Sequence, residues 1–158
     1  MNFNDKPLSG YRVLELSNYV AAPSCGRMLA EWGADVIKVD SPSGDIFRYY
    51  GQVLNMPTNE EENPLWDLLN ANKRGITIDL KSPDGKELFF ELLKKTDVFL
   101  TNSQPIVLKK FGIDYESLKN IFPRLVYALL TGYGEKGPDA DLPGFDVASF
   151  NARSGFLI

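Results

Sequence analysis

The sequence contains no histidine. That removes the commonest general base and the commonest transition-metal ligand from its chemistry, and no metal site is expected. Its one cysteine, Cys25, cannot close an internal disulfide, which suits a reducing cytoplasm. Cys25 occupies an apolar position in a helical segment and reads as a small core residue. A reactive thiol would need a basic or helix-N-terminal setting. No apolar run approaches the roughly 20 residues of a membrane span. The opening MNFNDKPLSG has no apolar signal segment, so the sequence reads as cytoplasmic. An excess of positive charge is also missing. The net charge of -4 argues against nonspecific nucleic-acid binding. It leaves room for a phosphorylated small molecule, because a few placed lysines make a local cationic site.

One further absence is local. The stretch NYVAAPSCG (18–26) follows the apolar run RVLELS and opens a helical pattern. A dinucleotide-binding turn would carry G-x-G-x-x-G here, so that backbone could approach a pyrophosphate. This turn has no glycine before Gly26.

What is present is a strand–helix alternation. RVLELS (12–17), DVIKVD (35–40), GITIDL (75–80), DVFLTN (97–102) and LVYALLTG (125–132) read as strands. The spacing predicts a helix over 22–33, with Cys25, Met28, Leu29 and Trp32 as its apolar stripe. A second runs from Ser82-Pro83-Asp84 to about Lys95, with Leu88, Phe89, Leu92 and Leu93 as its buried side. Shorter helices fit 64–70, the segment before Gly112, and 114–121 with Asp114 as N-cap. A further helix begins at Phe145 and runs to Arg153. Residues 48–63 read as polar and irregular. The pattern implies βαβ units: an α/β, Rossmann-like parallel sheet with helices on both faces. Ligands of such sheets bind outside the carboxyl ends of the strands. The closing GFLI (155–158) is apolar and lacks a stop signal, so the chain reads as the N-terminal part of a larger domain.

Cations stand near the strand ends: Lys73 and Arg74, Lys81, and Lys109 with Lys110. Each fits either a solvated surface or a phosphate contact. Asn102 ends a strand and suits either a loop cap or a ligand. The loop TGYGEKGPDADLPGFD (131–146) holds four glycines, more than a connecting turn needs, and reads as functional. Asp146 within it fits a helix cap better than a nucleophile.

Several segments together resemble one family. LSGYRVLEL (8–16), AAPSCGRMLAEWGADVIKVDSPSGD (21–45), NANKRGITIDLKSPDGKELF (70–89) and TGYGEKGPDADLPGFDVASFNARSG (131–155) look like the family III CoA-transferases, in the family's order along the whole chain. The PGFD-x-x-x-F-x-A-R-x-G form resembles the branch from amino-acid-fermenting anaerobes that acts on 2-hydroxy acids such as phenyllactate. The resemblance implies transfer of CoA from an acyl-CoA to a carboxylic acid. An aspartate attacks the thioester, forms a mixed anhydride and then carries CoA as an aspartyl thioester. No permanently bound cofactor is implied; coenzyme A enters as part of the substrate.

By position, Val20 and Ala21 match family contacts near the thioester end of CoA. Ile78, Lys81, Asn102 and Lys110 match contacts to its nucleotide portion, and Phe145 stands where relatives carry an aromatic beside CoA. An arginine that some relatives use after the second strand is Ser41 here. The nucleophilic aspartate of the family's Gly-Asp motif would lie beyond Ile158, so residues 1–158 alone are expected to be inactive. A second domain and a C-terminal return segment are also implied, within an interlocked homodimer. The rival readings are an α-methylacyl-CoA racemase of the same fold and a non-catalytic nucleotide-binding domain. Racemases of this fold place a histidine at the position of Phe145, and phenylalanine cannot take a proton. An NAD-dependent dehydrogenase is disfavoured by the missing glycine fingerprint.

Overall fold

The computed structural model describes residues 6–145, 150, 154 and 155. Five strands form one parallel sheet: β1 (Arg12–Leu16), β2 (Asp35–Asp40), β3 (Arg74–Thr77), β4 (Val98–Thr101) and β5 (Val126–Leu129). Their order is β3-β2-β1-β4-β5. The chain steps outward from β1 in one direction, then returns across it and steps outward in the other. The point of reversal lies between β1 and β4, where parallel α/β sheets open a crevice at their carboxyl ends.

The helices are α1 (Ala21–Glu31), α2 (Pro64–Asn70), α3 (Pro83–Leu93), α4 (Pro105–Phe111) and α5 (Tyr115–Leu118). Local chemistry sets several of their starts. Ser82 caps α3 by accepting the N–H of Gly85 at 3.0 Å, and Pro83 follows at the first helical position. Asn63 caps α2 with Pro64 next to it, and Asp114 caps α5 as expected from its sequence.

Side chains of successive strand residues point to opposite faces. Leu14, Ile37, Val39 and Phe99 therefore build one core with Phe89 and Leu93 of α3, Leu108 of α4 and Leu118 of α5. Val13, Val36 and Leu100 build a second with Ala22 and Ala30 of α1 and with Ala34.

Four expectations change. Residues 46–54 are not irregular: Ile46–Leu54 form a 3-10 helix, capped by Asp45, with Phe47 buried and Tyr50 stacked on it at 5.4 Å. The stripe of α1 holds only in part: Cys25 and Leu29 pack against the second core, while Met28 is 52% and Trp32 50% exposed. Its buried residues are the small Ala22, Pro23, Gly26 and Ala30, because this helix packs close to the sheet. Leu88 of α3 is exposed, and Phe89 and Leu93 carry that helix's buried face. The strands β3 and β5 and the helix α5 are shorter than their patterns, although Ile78 still donates to the Asp40 carbonyl and Leu130 to that of Thr101. Most of the helix expected from Phe145 onward, with Asp146, lies outside the described residues.

Candidate functional site

The turn NYVAAP joins β1 to α1 at the point of strand reversal. Asn102, just past β4, grips it from the neighbouring strand. Its Oδ1 accepts the N–H of Asn18 at 3.0 Å and its Nδ2 donates to the Asn18 carbonyl at 2.8 Å. Tyr19 follows with φ at 62°. For a residue with a Cβ, this left-handed backbone costs roughly 1–2 kcal/mol. The conformation is held from below: the Tyr19 N–H donates to Asp45 Oδ1 at 3.2 Å. Val20 then enters α1 without any side-chain cap.

Above the turn lies a cleft of about 1200 Å³. Asn18, Tyr19, Val20 and Ala21 form one wall, and Asn102 with Ser103, Gln104 and Pro105 forms the next. The glycine-rich loop closes the far side with Gly132, Pro143, Gly144 and Phe145. That loop folds back on itself. A Cβ on Gly132 would stand 2.2 Å from Gly144 Cα, and the reverse contact is the same, so this crossing excludes any side chain at either position. Phe145 meets Tyr19 edge-to-face at 5.2 Å, and Gln104 Nε2 donates to the Asp141 carbonyl at 3.4 Å. Phe47 and Tyr50 add an aromatic flank.

Four of the residues singled out by sequence thus come together: Val20, Ala21, Asn102 and Phe145. The other three stand apart from the cleft lining. Ile78 is buried in the core, and its N–H donates to the Asp40 carbonyl. Lys81 is exposed, with its N–H donating to Asp79 Oδ1. Lys110 is exposed in the last turn of α4, beside Lys109, where it also faces the negative end of that helix dipole. Ser41 is exposed and bonded to Ser43.

Lys73 corrects its expectation. It is not a surface cation but part of a buried charge cluster under α1, which sequence reasoning missed. Glu15 of β1 is 0% and Lys38 of β2 3% exposed, and the two are register partners. Lys73 Nζ lies 3.0 Å from Glu15 Oε1 and 2.9 Å from Oε2, and it donates to the Pro23 carbonyl and to Asn70 Oδ1. Burial pulls its pKa below the ordinary lysine value, and Glu15 opposes that pull. Lys38 Nζ donates to the Ser17 carbonyl at 2.7 Å and faces Asp45 Oδ2 at 3.3 Å. Cys25 packs against the second apolar core; burial raises its thiol pKa, with Glu15 adding to the effect. A resting thiol, not a thiolate, results. Among the described residues, no group of three or more His, Cys, Asp or Glu is placed to hold a metal ion. Among the same residues, no helix is long and apolar enough to cross a membrane.

A parallel α/β sheet with a cleft at its switch point defines a class of ligand-binding domain. Comparison with known proteins assigns the family within it: residues 8–158 match the model of CoA-transferase family III, and the chain belongs to that family. It is 50% identical over 155 residues to a cinnamoyl-CoA:phenyllactate CoA-transferase of Clostridium sporogenes, covering 98% of this chain and 38% of that protein. It is 44% identical over 148 residues to an (R)-2-hydroxy-4-methylpentanoate CoA-transferase of Clostridioides difficile, covering 94% and 37%. A crystal structure of a CAIB/BAIF family protein from Brucella suis superposes with a TM-score of 0.85 at 39% identity, covering 95% and 39%. The chain therefore spans less than two fifths of the length of these relatives.

Proposed function

We propose that the full-length protein moves coenzyme A from an acyl-CoA to a small carboxylic acid, with a 2-hydroxy acid as acceptor. The observation that carries this reading is the convergence of Val20, Ala21, Asn102 and Phe145 on one cleft in a family III chain. The hydroxy-acid acceptor is supported by the two clostridial relatives, which are named for phenyllactate and (R)-2-hydroxy-4-methylpentanoate. Activation of such acids fits a place in amino-acid fermentation, in the cytoplasm.

In this reading residues 1–158 are the N-terminal, CoA-binding portion of the larger domain. Val20 and Ala21 receive the thioester end, beside the uncapped N-terminus of α1, where backbone N–H groups favour developing negative charge. Phe145 stands beside CoA. Ile78, Lys81, Asn102 and Lys110 serve its nucleotide portion. The attacking aspartate lies on polypeptide outside these residues. Its carboxylate adds to the thioester carbonyl and expels the thiolate, leaving an acyl–aspartyl anhydride. The thiolate then attacks the aspartyl carbonyl, which frees the first acid and leaves an aspartyl-CoA thioester. The incoming carboxylate repeats both steps in reverse. A second domain and the interlocked homodimer complete the site, and the 158-residue chain alone catalyses nothing.

The test is to incubate the full-length protein with cinnamoyl-CoA and phenyllactate and follow both CoA esters by chromatography. Transfer is expected, and hydroxylamine or borohydride should trap the aspartyl thioester. Isotope exchange at the α-carbon without transfer would replace this reading with a racemase. Tighter binding of NAD than of CoA would remove it altogether.

A further inference from the structure

Lys38 and Asp45 are the members of the buried charge cluster that bond the backbone of the turn beneath the cleft. Asp45 has no exposed surface. Its Oδ1 accepts the N–H of Tyr19 at 3.2 Å and of Phe47 at 3.0 Å, and its Oδ2 faces Lys38 Nζ at 3.3 Å. Lys38 donates in turn to the Ser17 carbonyl at 2.7 Å. The backbone on both sides of Asn18 is therefore gripped by one buried ion pair. Tyr19 does not hold a φ of 62° by its own preference, and the residues that follow it are Val20 and Ala21 of the cleft wall. Apolar packing of the same volume generally matches or exceeds a buried ion pair in stability, so stability alone does not account for this one.

We infer that Asp45 is a positioning residue, with Lys38 as its counter-charge: its carboxylate sets the backbone at Tyr19 and thereby the affinity of the cleft for an acyl-CoA. The inference rests on the cleft being the CoA site. Asp45 does not touch the ligand; it acts through the Tyr19 N–H. The hydrogen bonds to Tyr19 and Phe47 need only an acceptor at position 45, whereas a charge there needs Lys38, which also faces Glu15 at 3.7 Å and Asp40 at 3.5 Å. These two requirements can be separated.

The experiment uses the full-length protein in three versions besides wild type. Asp45→Leu/Lys38→Met removes both charges and the acceptor. Asp45→Asn/Lys38→Met removes both charges and keeps the acceptor. Asp114→Ala removes a helix cap far from the cleft and reports on stability alone. KM and kcat for the acyl-CoA are measured with hydrogen exchange over residues 17–21. The Leu/Met protein should show KM raised about tenfold, kcat within about twofold of wild type, and faster exchange at Tyr19. The Asn/Met protein should return KM to within about threefold of wild type. If the Leu/Met protein does not fold, Asp45→Ala/Lys38→Met takes its place with the same expectation. A wild-type protein that binds no CoA removes the functional reading itself. With CoA binding intact, equal KM in all versions overturns the positioning role. So does an Asn/Met protein as impaired as the Leu/Met one.

Discussion

Leu14 and Glu15 are neighbours on β1, and neither has exposed surface. Leu14 turns toward α3, α4 and α5 and belongs to an apolar cluster that includes Phe89 and Phe99. Glu15 turns toward α1 and meets Lys73, Lys38 and the hydroxyl of Ser17. One layer is a hydrocarbon core whose stability grows with the area removed from water. The other places charges where each one depends on its partner. The layer that is costlier to build is the one that bonds the backbone of the cleft's turn, through Lys38 and Asp45. The hydrocarbon layer meets the cleft through Leu129, which packs against that core and lines the cleft wall.

The largest expected effects separate these two layers by rescue, not by size. Lys73→Met leaves Glu15 buried with Lys38 alone at 3.7 Å, and should cost about 3–5 kcal/mol in urea unfolding of the full-length protein. Adding Glu15→Leu should recover most of that loss, because an apolar pair of similar volume replaces the ions. Phe89→Ala on the opposite layer should cost a similar amount, about 3–5 kcal/mol, through its cavity. No single further truncation restores that one, since a second deletion only enlarges the void. If the Glu15→Leu/Lys73→Met protein is no more stable than Lys73→Met alone, the two layers do not differ as described.

A smaller effect sharpens the contrast in packing. A Cβ on Gly26 would lie 1.8 Å from Glu15 Oε2 and 3.3 Å from Lys73 Cε. Gly26→Ala should therefore cost roughly 1–3 kcal/mol by overpacking. In a Glu15→Ala background the same change should be close to neutral, because the clashing carboxylate is gone. Equal costs of Gly26→Ala in both backgrounds would mean that backbone shifts, not Glu15, set the penalty.

These layers also differ in how well sequence discloses them. The hydrocarbon core follows from period-2 strands and helical stripes, and Phe89, Leu93, Phe99 and Leu118 all sit where such patterns place them. Asp114 and Ser82 announce their helix starts through side chains that bond the local backbone. The ionic layer leaves a fainter trace: one Glu inside RVLELS and one Lys inside DVIKVD. Only the register, which pairs Glu15 with Lys38, shows that they meet, and register is a tertiary fact. The same limit explains α1, where Met28 and Trp32 fit an apolar stripe and yet stand exposed. Close approach to Glu15 selects the small residues for burial instead. In the cleft, the turn and the glycine-rich loop were visible as unusual segments. The Asn18–Asn102 clamp spans 84 residues, and nothing local predicts it.

The smallest effect concerns an ion pair outside both layers. Asp35, at the amino end of β2, accepts hydrogen bonds from Arg12 at 2.9 Å and from Arg74 at 2.8 and 2.6 Å. Burial pushes its carboxyl pKa up, and the bonds from Arg12 and Arg74 more than reverse this, holding it below the ordinary aspartate value. A carboxylate lowered in the folded state binds fewer protons there than in the unfolded chain. Its stabilisation is complete above the unfolded value, near pH 4, and is lost as pH falls through the folded one. With 37% of the side chain exposed, solvent and salt screen the pair, so its worth stays below about 1 kcal/mol. Asp35→Asn should flatten the acid limb of the urea midpoint between about pH 5 and 3, and added salt should shrink the difference from wild type. Lys73→Met should respond little to salt, because water does not reach Glu15. Matching salt responses in the two variants would erase the distinction between a rim pair and a buried one.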